Sequence, residues 1–351
     1  METNINILNI NKHFFINKEQ KIDINYRNKI VNYSHFSVNE AKICRKIKKI
    51  PYYSNFFSIL EDYEALNISQ LNDDIIEKLN NGSNAQYFLF KYNDRDSVDF
   101  IDFLYNFTSI KKLILDNINA FQHLLYGLYV LNENNVCFFN ISPKNILFLQ
   151  NYREKPVLNN FKFSLTLNNL EFTNISHILN KLDDFTYQPL EIHIIYYFIR
   201  HEITTISYTF IEEFCEEFVE NLNILRLFSE NYRKKYKEEC IETMRKYINR
   251  PRNEILDDIL ERNDKWDVYG ISMIFLHIFG CISRIFSLKG TFISRITIEL
   301  TRNLHPDSDK RMSLEETLNV FNKHLNEEND WKFVTNLDNN KLTKLFDELA
   351  K

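Results

Sequence analysis

Glycine is nearly absent from this chain. Only 5 of 351 residues are glycine and the first is Gly82, so no glycine-rich backbone cradle for phosphates precedes it. The five cysteines, Cys44, Cys137, Cys215, Cys240 and Cys281, are odd in number and far apart. No spacing among them suits a zinc site or a disulfide framework, so they read as buried free thiols in a reducing compartment. The nine histidines have no metal-ligand spacing. An excess of positive charge is also missing: the net charge is -5 and the pI near 6.0, which gives no electrostatic case for nucleic-acid binding. No apolar run approaches the length of a membrane span, and the first residues lack a basic region followed by an apolar one. No membrane span and no secretory signal are therefore expected, and an intracellular protein follows from that reading.

What is present is a generous core supply. Apolar residues make up 44% and aromatic ones 15%, with 30 Phe and 19 Tyr, while charged residues make up 26%. That is a globular composition. The abundance of Asn, Ile, Lys, Phe and Tyr resembles the bias of an AT-rich genome, such as that of a large DNA virus, for which the setting would be the host cytoplasm. Basic clusters at 42–49 and 233–237 read as solvated helix faces.

Periodicity changes along the chain. Period-two runs at 22–26 and 29–33, and apolar runs at 56–60 and 87–92, predict strands. Helical spacing predicts a helix over 38–49, capped by Ser37 and followed by Pro51. Residues 67–84, which include Gly82, read as at least partly loop. A long amphipathic helix is expected at 109–132, then a strand pair at 146–149 and 156–158. Helices follow at 192–200, 210–227, 230–248, 253–262, 267–279, 291–303 and 313–325, with a polar helical tail. The expected fold class is α+β, with a small strand-rich part before a large helical one.

Between the long helix and the strand pair stands Phe138-Phe139-Asn140-Ile141-Ser142-Pro143-Lys144-Asn145-Ile146-Leu147. Further on come Asn159-Asn160-Phe161-Lys162, Tyr187-Gln188-Pro189-Leu190-Glu191, Asp267-Val268-Tyr269, and His305-Pro306 leading to Arg311. In this order the segments resemble the protein kinase superfamily over roughly 35–325: the catalytic loop, the Asp-Phe-Gly element, the Ala-Pro-Glu element, the bracing Asp, and the Arg that pairs with the Ala-Pro-Glu glutamate. The resemblance implies a two-lobed fold, with an N-lobe at 1–92, a C-lobe at 93–325 and a tail at 326–351. A helical, charged stretch at 204–263 exceeds the usual spacing. It reads either as a surface insertion or as an appendage that binds a protein partner.

The resemblance also implies roles. Asn140 falls on the position of the base, next to Lys144 and Asn145. Asn145 and Asn160 fall on the metal positions, and Phe161 and Lys162 complete the second element. Glu40 falls on the lobe-bridging helix. Its lysine partner is Lys21 or Lys29, or Asn32 stands in that lysine's place, and Lys91 lies on the strand leading to the hinge. Pro143, Glu191, Asp267 and Arg311 match residues that hold the fold. ATP and Mg²⁺ are the cofactors the family implies, and the degenerate motifs do not support them. Asn140 has no useful basicity, and loss of a general base costs about 10²–10⁴-fold. Asn160 offers Mg²⁺ a carbonyl oxygen and no charge. The expectation is a pseudokinase acting as a scaffold or regulator. The alternative is an active Ser/Thr-type kinase with an atypical site.

Overall fold

The structure is a computed structural model. It describes residues 7–10, 26–66, 86–94, 97–149, 155–168, 170–328 and 331–350. The chain forms two compact units: Met1–Phe100 with Lys144–Ser164, and Ile101–Pro143 with Leu165–Lys351.

The first unit is built on a four-stranded antiparallel sheet. Its strands are β1 (Ile7–Ile10), β2 (Arg27–Asn32), β3 (Leu60–Leu66) and β4 (Tyr87–Tyr92), in the order β1-β2-β4-β3. Tyr87 and Phe88 pair with Asn32 and Val31 on one side and with Leu66 and Ala65 on the other, so β4 is central. Its apolar run suits a strand paired along both edges. A helix, His35–Ile47, directly follows β2 and buries Glu40, Ile43, Cys44 and Ile47. A second sheet joins Ser97–Asp99, Ile146–Leu149 and Val157–Leu158, all antiparallel.

The second unit is helical. The long helix Ile110–Glu133 is capped by Ser109, whose hydroxyl accepts the Lys112 N–H. Phe121 on this helix packs against Phe275 at 4.8 Å and Phe321 at 5.2 Å, which places helices Trp266–Ile285 and Leu314–Glu327 around it. Tyr208–Asn221, Glu230–Arg245 and Arg252–Leu260 lie in the long stretch after Glu191. They are seated, because Tyr236 donates its hydroxyl to the Leu304 carbonyl at 2.8 Å and Leu227 lies where a Cβ on Gly280 would be 2.6 Å from its Cδ1. Beyond them, Asn339 accepts the Ile110 N–H at 2.9 Å, so the tail contributes to the start of the long helix.

Several expectations need correction. The cap of the helix after β2 is Ser34, and Ser37 is the third helical residue that bonds back to it, a capping box that starts the helix at His35. Residues 56–60 are not a regular strand. Phe57 makes an isolated parallel bridge with Leu158, and the strand begins at Leu60. The long helix predicted over 210–227 ends at Asn221 and is followed by a tighter turn, Asn223–Leu227. The helix Phe172–Leu179 was not anticipated. Among the described residues one helix, Asn263–Ile285, is long and apolar enough to cross a membrane, contrary to the reading that no stretch is. Its central window is 78% buried within the protein, as befits a core helix, and scattered polar residues such as Asp267 and His277 hid it from a search for unbroken apolar runs. Strand 22–26 falls largely, and loop 67–84 wholly, outside the described residues. All five cysteines are free and buried.

Candidate functional site

In the first unit, alternation along β2 puts Arg27 and Lys29 on one face. Both reach the ring of Tyr92 at the end of β4, the guanidinium carbon at 4.5 Å and the Lys29 ammonium at 5.2 Å. Tyr92 donates its hydroxyl to Glu40 Oε1 at 2.9 Å in a buried hydrogen bond. Burial raises the Glu40 carboxyl, opposed by Lys29 and by the Tyr92 hydroxyl. Burial also pushes Lys29 down to about 8, reinforced by Arg27 and countered by Glu40 and Asp94. Lys29 and Glu40 thus share Tyr92, whose ring meets the ammonium and whose hydroxyl binds the carboxylate. Asn32 has a buried side-chain carbonyl with no hydrogen-bond partner, and Lys21 lies outside the described residues.

A second buried cluster adjoins it. Arg27 grips Asp94 with Nε on Oδ1 and with Nη2 on Oδ2 at 2.6 Å. Ser58 donates to Asp94 Oδ2 at 2.7 Å. The Asp94 side chain has no exposed surface, so its charge is met wholly by these donors. Lys91 instead pairs with Glu64 and, at 3.4 Å, with Asp62.

The segment around Asn160 is fastened in the same unit. Asn160 is in the left-handed region at φ 67°, which asparagine tolerates better than most residues. Its Nδ2 donates to Asn145 Oδ1 at 2.9 Å, and the Asn159 N–H donates to the Asn145 carbonyl at 3.0 Å. Phe161 meets Phe57 edge-on at 6.0 Å, and Phe163 meets Phe36 at 5.4 Å. Asn39 donates its amide to the carbonyls of Lys162 at 3.0 Å and Ser164 at 2.9 Å. Those bonds tie the segment to the helix that carries Glu40. Lys162 lies with its ammonium 4.7 Å from the Phe163 ring, and Lys144 is exposed.

In the second unit, Asp267 sits in the first turn of Trp266–Ile285. Its two carboxylate oxygens accept the backbone N–H groups of Phe138 and Phe139, each at 2.7 Å. Burial pushes Asp267 up to about 6, against the pull of those two bonds. Phe139 has φ 64°, a strained conformation for a bulky residue that costs on the order of 1–3 kcal/mol. It is held at its N–H by Asp267 and at its carbonyl by the Gln188 amide at 2.8 Å. A Cβ on Gly270 would lie 2.9 Å from Ile141 Cβ and 3.2 Å from the Tyr187 carbonyl, so only glycine admits this approach. Pro143 and Asn140 are half-buried, and the Asn140 N–H donates to the Phe138 carbonyl at 2.7 Å. Arg311 and Glu191 form a bidentate pair at 2.6 and 2.8 Å, and Arg311 also donates to the carbonyls of His305 and Pro306.

The sequence reading missed Arg27, Asn39, Tyr92, Asp94 and Gln188. Arg27 shares a strand with Lys29 but carries no local signal of its partner. Asp94 carries no local signal.

An antiparallel sheet whose second strand leads into the helix of Glu40, a helical unit whose buried aspartate braces a strained loop, and an Arg–Glu pair with a fully buried arginine define an α+β fold with a strand-rich unit and a helical one. No protein-family model matches the sequence, and no curated protein does. Among solved structures it is similar to the twitchin kinase region from C. elegans, with a TM-score of 0.44 and 14% identity, covering 93% of this chain and 45% of that one. It is also similar to titin kinase and its flanking domains, with a TM-score of 0.43 and 12% identity, covering 92% of this chain and 46% of that one. The chain therefore spans less than half the length of either.

Proposed function

We propose that this chain is a pseudokinase, a kinase-like protein that acts by binding a protein partner and does not transfer phosphate. The observation that carries this reading is the bond from Asn160 to Asn145. One neutral amide bonds to another at the positions where the family holds Mg²⁺, and Mg²⁺ beside phosphates normally takes carboxylates. This donor set does not fit the ion, so no step is derived through a magnesium–nucleotide complex. Asn140, at the position of the base, cannot accept a hydroxyl proton at neutral pH. The braces that hold the loops, Asp267 and the Arg311–Glu191 pair, are intact and support a folded scaffold.

The contact of both Lys29 and Glu40 with Tyr92 favours the second reading, an active protein kinase with an atypical site. Transfer of labelled phosphate from ATP, with Mg²⁺ or Mn²⁺, separates the two in wild type and Asn140→Ala. The pseudokinase reading expects background transfer in both. Transfer by wild type that Asn140→Ala abolishes would establish the enzyme.

A further inference from the structure

The first two helices after Gln188 line a half-open cavity of about 270 Å³, bordered mainly by aromatic rings. Phe185 and Tyr196 lie 4.5 Å apart by ring centroid, and Tyr197 lies 6.0 Å from Phe214. All four rings are half-exposed, and part of each is covered by a neighbour: Phe185 by Tyr196, Tyr197 by His201 at 4.2 Å, and Phe214 by Phe210 at 5.5 Å. One guanidinium is already held there: Arg200 lies 5.1 Å from the Tyr196 ring centre and donates Nε to its hydroxyl at 3.0 Å. The cavity thus shows, with the protein's own side chain, the chemistry it accepts.

The wall formed by Tyr208–Asn221 is acidic. Glu217 lines the cavity, and Glu213 and Glu220 stand four residues before and three after it, hence on the same side of the helix. All three are exposed. His193 beneath the rings is pushed down to about 4 by burial and brings no positive charge at neutral pH. Among the described residues Arg200 is the one cation lining the cavity, against the three carboxylates of this face, so the local balance is negative around rings that attract cations.

We propose that this groove binds an arginine-bearing basic segment of a partner protein, with guanidinium groups stacking on the rings and paired to the Glu213–Glu217–Glu220 stripe. The charge complementarity selects a basic protein segment over nucleic acid or an anionic membrane, which the glutamates would repel. The proposal rests on the reading of the chain as a binding protein and supplies the chemistry of the partner.

Fluorescence polarisation with the full chain and a fluorescein-labelled arginine-rich nonapeptide tests it. A peptide with every arginine replaced by neutral citrulline serves as the control. Binding of the arginine peptide is expected, with loss in the citrulline control. A weakening of about tenfold is expected in Glu217→Gln, which is exposed and leaves the core alone, and a similar one in Phe214→Ala, which changes no charge. Absence of binding, or binding insensitive to both variants, overturns the proposal while leaving the phosphate-transfer result untouched. Self-association of the chain lost in Glu217→Gln would assign the groove to a second copy and overturn it as well.

Discussion

Asn160 donates its side-chain amide to the side-chain carbonyl of Asn145 across 2.9 Å. Each amide is a partner for the other, and neither offers charge. The same segment is fixed on its far side by Asn39, whose amide donates to the carbonyls of Lys162 and Ser164. The segment is thus tied down at both ends, by Asn145 and by Asn39.

The buried network under β2 is expected to carry stability. Tyr92→Phe leaves Glu40 without its hydroxyl donor in a buried place, which costs about 1.5–3 kcal/mol. Asp94→Ala strands the Arg27 guanidinium and is expected to cost about 3–5 kcal/mol. Urea unfolding monitored by circular dichroism reads both. A change below about 0.5 kcal/mol in each would show that the network is not a structural one.

Asp267→Ala removes the acceptor of two buried N–H groups and is expected to cost on the order of 3 kcal/mol. Asp267 also has a pH signature. Its folded value, about 6, exceeds its ordinary 3.8, so between those values the folded protein keeps a proton that the unfolded chain has released. Stability from this group is present below the lower value and is lost as pH rises through the upper one. Asp267→Asn abolishes that dependence. The stability of wild type relative to Asp267→Asn should fall from pH 4 to pH 6 and stay level above it, as read from denaturation midpoints.

The Arg311–Glu191 pair is expected to be strongly coupled. Arg311→Met or Glu191→Leu alone leaves a charge without its partner in a buried place, at a cost of about 3–5 kcal/mol. The double variant should cost less than the sum by at least about 1 kcal/mol. Strict additivity in a double-mutant cycle would contradict the pairing.

How much of this was legible in the sequence depends on the range of the interactions. The strand Tyr87–Tyr92 and the long helix, expected at 109–132 and found at Ile110–Glu133, could be read because their apolar patterns are local. The run 56–60 misled because Phe57 and Ile59 are buried without belonging to a regular strand: Phe57 makes an isolated bridge with Leu158 and packs on Phe161. Ser37 was mistaken for the cap because either serine of a capping box satisfies the same local pattern. Asp267, Glu191 and Arg311 were found through resemblance alone, since no local rule links positions 120 apart, the separation of Arg311 and Glu191. Arg27 and Asp94 are 67 positions apart, and nothing in either neighbourhood announces the pair. The acidic face of Tyr208–Asn221 could be read from the sequence, but its aromatic neighbours only from the packing.

The most direct test of the central claim is the magnesium dependence of ATP binding, followed by thermal unfolding of wild type and Asn160→Ala, with Mg²⁺ or with chelator. The account predicts that Mg²⁺ adds nothing to any effect of ATP on wild type, and that Asn160→Ala behaves the same. A stabilisation near 2.7 kcal/mol at about 100 times the dissociation constant, present with Mg²⁺, absent with chelator and lost in Asn160→Ala, would contradict it.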